Sequence, residues 1–330
     1  MFSKCVRALR LAAILLGFAA APALAQTWQA PQHVSGWPGL ASGENQAQAQ
    51  ASLAFGPELQ RGRPAKEMLA DSRRLAKALA GIEPQRKGVV DAYVVSVALD
   101  SDPVFGREAR EAGKVLTRRY GAEGRSITLA GTDGSGPTQL PNGSMSSLTL
   151  ALARIAEVMD PNEDVLILYT TSHGAPVGIA YHDGDEGFGI LPPARFAELL
   201  TELGIKKRLL MISACYSGIF VPSLASADTV LITAASAERP SFGCMAENDW
   251  TFFGDALINH ALRKPQALKP AAEEARTMIG GWESSNKLRP SEPQLSIGAG
   301  VDAWLKPLEA KLPAATAPVG KPATEALKAQ

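Results

Sequence analysis

VLILYTTSHG, residues 165–174, is an apolar run too short for a core helix, and it ends on Ser-His-Gly. It reads as a strand buried on both faces, because a strand with one wet face alternates polar and apolar positions. Three other runs share its character: VVDAYVVSVAL at 89–99, RLLMIS at 208–213 and TVLITA at 229–234. A shorter strand is predicted at 126–129. Helical periodicity predicts helices over 64–80, 105–120, 147–159, 193–203, 249–263 and 271–282. Strands alternating with helices make an α/β protein, with a mostly parallel central sheet covered on both faces and right-handed crossovers.

In such sheets ligands sit beyond the carboxyl ends of the strands. His173 and Gly174 follow the first run, and Ala214-Cys215-Tyr216-Ser217-Gly218 follows the third. Neighbouring strands stand roughly 5 Å apart, which brings a His and a Cys at such ends within reach of each other. A thiolate is the nucleophile, and a nearby imidazole takes its proton and returns one to a leaving amine. The backbone N–H groups of Gly174 and Cys215 are natural donors to an oxyanion. Taken singly, a Cys is more often a small buried hydrophobe. Two such residues at two expected strand ends favour chemistry.

Composition narrows the classes. Lys+Arg and Asp+Glu number 33 each, and no basic stripe interleaved with aromatics appears, so nucleic acid is not expected as a partner. Lys4, Arg7 and Arg10 precede an apolar stretch from Leu11 to Ala20, and Ala23-Leu24-Ala25 fits a cleavage site before Gln26. Residues 1–25 are therefore expected to be a signal peptide and the mature protein periplasmic or secreted. The alternative is an uncleaved N-terminal anchor, although the run is short for a stable membrane span. Residues 26–62, rich in Gln, Ala, Gly and Pro with Trp28 and Trp37, read as an extended arm. Residues 63–300 form the expected catalytic domain, and 301–330 a C-terminal tail. Beyond Cys5 only Cys215 and Cys244 remain; a disulfide between them competes with a free nucleophile. Tyr181 to Gly187 gathers acids and a His without calcium-loop spacing and reads as a turn, not a metal site. Gly131 to Gly143 reads as a flexible loop at the cleft rim.

The strand–Ser-His-Gly and strand–Ala-Cys-x-Ser-Gly pair, in that order, resembles the legumain-like cysteine peptidases, the peptidase C13 family, clan mates of the caspases. SACYSGIFVPSL (213–224) is similar to the bacterial branch, and TAASAERPSFGC (233–244) to the segment after the nucleophile. The likeness spans roughly 85–300. It implies a caspase-like α/β/α sandwich, catalytic His173 and Cys215, a peptide or protein substrate, and no metal or organic cofactor. It also places Arg107, Ser213, Ser241 and Asp249 in the pocket that binds substrate. Departures accompany it. Glu108 follows Arg107 where the family has His, Ser213 stands where it has Glu, and Phe105 falls where a residue orients the catalytic His. The family's asparagine preference is therefore not carried over. By residue type alone, Arg107 is either a fork for a substrate carbonyl or a solvated helix residue, and Asp249 either its partner or a helix cap. A non-catalytic binding domain on the same scaffold is the competing class. A transpeptidase or amidase using the same pair is the competing reaction.

Overall fold

The computed structural model describes residues 39–325, apart from 55 and 132–138. The expected signal peptide, its cleavage point, Trp28, Trp37 and most of the 131–143 loop lie outside the described residues.

The chain runs α1 (Gln46–Ala54), β1 (Glu58–Gln60), α2 (Ala65–Ala80), β2 (Ala92–Ala98), α3 (Pro103–Tyr120), β3 (Ser126–Leu129) and α4 (Met145–Val158). Then follow β4 (Val165–Thr171), β5 (Gly174–Ala175), β6 (Gly178–Asp183), β7 (Gly187–Leu191), α5 (Pro193–Glu202) and β8 (Arg208–Ser213). The last part holds α6 (Val221–Leu224), β9 (Thr229–Thr233), a π-helix (Gly254–Ala261), α7 (Leu268–Ser285), β10 (Gln294–Ile297) and α8 (Asp302–Glu309).

Six strands form the central sheet in the order β10-β9-β8-β4-β2-β3. All its pairings are parallel except β10 against β9. Along each strand the side chains alternate between two buried faces. Val94, Ile167, Tyr169, Leu209 and Met211 pack with α3, the π-helix, α7 and α8. Tyr93, Val95, Leu168, Leu210 and Ile212 pack with α4, α5 and α6 on the other side. The result is the α/β/α sandwich with a mostly parallel sheet expected from the continuous apolar runs.

Several local outcomes have identifiable causes. The run expected as a strand from Val89 begins at Ala92, because the buried Asp91 carboxylate accepts from Arg86 N–H and the Arg86 guanidinium and bends the chain there. Residues 178–191 form a β-hairpin whose turn falls within the acidic Tyr181–Gly187 stretch; Gly184 takes a positive φ of 52°. Residues 46–62, expected as an arm, contain a helix and a strand, and β1 pairs antiparallel with β7. Residues 301–325, expected as part of a tail, pack on the domain. Val301, Trp304, Leu305, Leu308 and Ala323 belong to the larger core, and Val319 brackets Asn259 with two hydrogen bonds. Among the described residues no helix is long and apolar enough to cross a membrane.

α4 is entered through a reciprocal cap: Ser144 Oγ accepts from Ser147 N–H, and Ser147 Oγ accepts from Ser144 N–H. Ser144→Ala is expected to remove about 1 kcal/mol and to lower the melting temperature by roughly 2–4 °C. A thermal melt indistinguishable from the parent would show that the cap contributes nothing here.

Candidate active site

β4 and β8 lie side by side in the sheet, with Thr171 level with Ser213. Two residues beyond each come His173 and Cys215. Ser172 N–H donates to Ser213 O at 3.1 Å, so the chains stay paired past the strand ends. Gly174 then approaches the backbone of Cys215: a Cβ placed there would lie 2.1 Å from Cys215 O. Only glycine fits. The two backbones expected to supply oxyanion donors are thus in contact.

Cys215 is half-buried and its thiol is free. Its Sγ receives Ser241 N–H at 3.2 Å and lies 3.7 Å from Ser241 Oγ. The structure therefore places Ser241 beside Cys215. The next residue, Tyr216, has φ 58°, a left-handed conformation uncommon for a bulky side chain. Its N–H donates to Arg239 O, which holds the turn that leaves Cys215 at the end of β8.

His173 interacts with Phe105, Asp102, Asp100 and Cys244. The edge of Phe105 meets its ring at 5.0 Å and 81°. Asp102 Oδ2 stands 3.5 Å from Nε2. The carboxylate of Asp100, buried at the end of the same chain segment, acts on it from behind. Burial opposes the imidazolium. The Asp102 carboxylate, the Cys244 thiol and Asp100 outweigh that opposition and raise the imidazole pKa. Burial also lifts the Asp100 carboxyl to about 7, against pulls downward from His173 and the Asp102 N–H. Cys244 is a second free thiol, packed beside the cluster that contains Phe105. Ligand-type atoms of Asp100, Asp102 and His173 lie within 4.8 Å of one another. Three donors fall short of a closed tetrahedral site.

The remaining expected pocket residues divide. Arg107 and Asp249 do meet, at 3.2 Å, and each is about a quarter exposed (26% and 28%). Their contacts, however, are mainly to the protein. The Arg107 guanidinium also donates to Ala246 O and Asn248 O and clamps the loop before Asp249. Asp249 accepts Lys321 N–H at 2.7 Å from the C-terminal stretch, so it pairs with Arg107 and caps no helix. Ser213 does not face the cleft. It is buried, and its hydroxyl is held between Glu108 Oε1 and Thr251 Oγ1, both at 3.0 Å.

That contact exposes a residue the sequence reading passed over as a mere departure. Glu108 is fully buried, and its Oε1 accepts from Tyr169 at 2.6 Å, Thr171 at 2.7 Å and Ser213 at 3.0 Å. Its Oε2 accepts Thr251 N–H at 2.6 Å. A Cβ at Gly254 would fall 2.2 Å from that carboxylate, so glycine at the start of the π-helix leaves it room. One carboxylate thus ties together the ends of β4 and β8, two residues before His173 and Cys215. The signal was present in the sequence: a carboxylate is missing at 213 and an extra one appears at 108.

Residues 145–299 match the Peptidase C13 family. No curated protein sequence matches the chain. A solved structure titled pro-sf-caspase-1 aligns at 15% identity and a TM-score of 0.40, over 65% of this chain and 91% of that one, a likeness too distant to argue from. The matched segment runs from α4 to just past β10 and includes His173, Cys215 and Ser241; over that segment the chain is similar to the peptidase C13 family.

Proposed function

We propose that this chain is an exported cysteine endopeptidase that hydrolyses peptide bonds through Cys215 and His173. The observation that carries the reading is the pairing of the two strand ends: Thr171 level with Ser213, and Gly174 packed on Cys215 O. Cys215 Sγ attacks the peptide carbonyl, and the Gly174 and Cys215 N–H groups receive the oxyanion. His173 takes the Cys215 thiol proton and, its imidazolium favoured by the acidic neighbours, gives that proton to the leaving amine. The acyl-enzyme is then cleared by water, for which His173 acts as base. The basic and apolar character of residues 4–20 and the small residues at 23 and 25 support export to the periplasm or beyond.

Labelling with a peptidyl acyloxymethylketone tests this reading. Covalent labelling should be lost in Cys215→Ala, fall at least tenfold in His173→Ala, and persist in Cys244→Ala. Equal labelling of all three variants would remove Cys215 from its role. Cleavage of a peptide library by the parent, with none by Cys215→Ala, would establish hydrolysis; product carrying an added amine would point to transpeptidation.

A further inference from the structure

We propose that Asp102 is the positioning residue for His173, holding Nε2–H so that Nδ1 faces Cys215. This inference rests on the dyad reading above. It departs from the family pattern, in which the corresponding position falls at Phe105, a residue that has no acceptor to offer.

The local backbone argues for it. Asp102 occupies the N-cap of α3, immediately before Pro103. Aspartate at that place ordinarily turns its carboxylate onto the helix's own first N–H groups. Here the side chain makes no such cap. Instead Oδ2 points at His173 Nε2, 3.5 Å away, a separation of the kind that tightens when substrate binds. Asp102 is itself held in place, because its N–H donates to Asp100 Oδ1 at 2.9 Å. Phe105, one turn into α3, supports the imidazole edge-on. The helix start thus delivers both a carboxylate and a ring to His173. With Nε2 directed at Asp102, a neutral His173 carrying its proton on Nε2 would keep its lone pair on Nδ1.

The titratable groups that act on His173 are Asp102 at the start of α3, Asp100 after β2 and Cys244 in the loop before Asp249. Behind Asp100 stands His182 on β6, with Nδ1 at 3.9 Å from Asp100 Oδ2, and Asp183 acts on Asp100 from the same strand. Asp100 keeps part of the acidic field when Asp102 is changed, so the effect of Asp102 is graded. Its removal lowers the His173 pKa by about 1 unit or more. The protonated form is the proton donor in acylation, so the alkaline limb of kcat/KM moves down in pH by the same amount.

Asp102→Asn and Asp102→Ala separate charge from orientation. Asn keeps an oxygen that can accept Nε2–H but carries no charge; Ala has neither. Both variants should shift the alkaline limb of peptide hydrolysis, and the His173 titration read by imidazole 15N chemical shifts, downward by about 1 unit. At the plateau, Ala should fall roughly tenfold below Asn, because only Asn still fixes the ring. Unchanged limbs in both variants, with Cys215 labelling still dependent on His173, would overturn the role of Asp102 and leave the dyad intact. Labelling of the parent protein that ignores His173→Ala would overturn the dyad reading itself.

Discussion

Glu108→Ala is expected to destabilise the protein by about 3–5 kcal/mol and to lower its melting temperature by on the order of 10 °C. The Glu108 carboxylate accepts from three hydroxyls and one backbone N–H, all buried or nearly so. Alanine leaves a cavity lined with polar groups. Each orphaned donor costs about 1–3 kcal/mol, less where a hydroxyl can turn to a new partner. Ser213 has such an alternative in Thr251 Oγ1, at 3.0 Å. Thr251 N–H has none of this freedom, because a backbone donor cannot rotate. Glu108→Gln sharpens the test. Its amide oxygen can still serve the hydroxyls, but its NH2 then confronts Thr251 N–H, donor against donor. A loss of about 2 kcal/mol is expected for Gln. Catalysis should suffer beyond stability, since Thr171 and Ser213 sit two residues before His173 and Cys215. Thermal melts and kcat/KM at a temperature where each variant is folded separate the two effects. A Glu108→Ala protein that melts within about 1 °C of the parent would show that the carboxylate does not hold these strands, since a single kilocalorie per mole already moves the midpoint by roughly 2–4 °C.

Gly174→Ala is expected to reduce kcat/KM by about 100-fold, the scale of a displacement of roughly 1 Å among reacting groups. The added methyl would lie 2.1 Å from Cys215 O, 3.0 Å from its carbonyl carbon and 3.1 Å from Ala214 Cβ. Two of these atoms are backbone, so relief requires β4 and β8 to part beyond their ends. Such overpacking also costs about 1–3 kcal/mol of stability. The parting displaces the Gly174 N–H and the Cys215 N–H relative to each other, and with them the expected oxyanion site. The readout is kcat/KM on a library-derived peptide, normalised by active-site titration. An alanine variant within twofold of the parent would mean that the close approach of Gly174 to Cys215 is not needed for turnover.

How much of this was legible before folding depended on the range of each interaction. The positions of His173 and Cys215 are marked by local patterns, the continuous apolar runs that precede them. The helices over 65–80, 103–120, 145–158 and 193–202 fall close to their predicted bounds for the same reason, an apolar stripe every turn. The β6–β7 hairpin and β1 carry weaker patterns. The hairpin's acidic turn dominates the reading of 181–187, and β1 is three residues whose strand character comes from pairing with β7. α8 reads as a tail because its Trp304, Leu305 and Leu308 acquire meaning only against a partner surface on the far side of the sheet.

By itself, then, the sequence determined the layered α/β architecture and selected one His and one Cys. Both follow from hydrophobic periodicity, which is a property of neighbours in the chain. Tertiary structure alone decided what surrounds them. It turned Asp102 away from its own helix toward His173, directed Ser213 inward, and closed Arg107 on Asp249 and the loop before it. It also joined Glu108 to Tyr169, Thr171, Ser213 and Thr251, residues 61, 63, 105 and 143 positions away. Hydrogen bonds of that span depend on which strand ends meet in space, and no local pattern in the chain encodes that meeting.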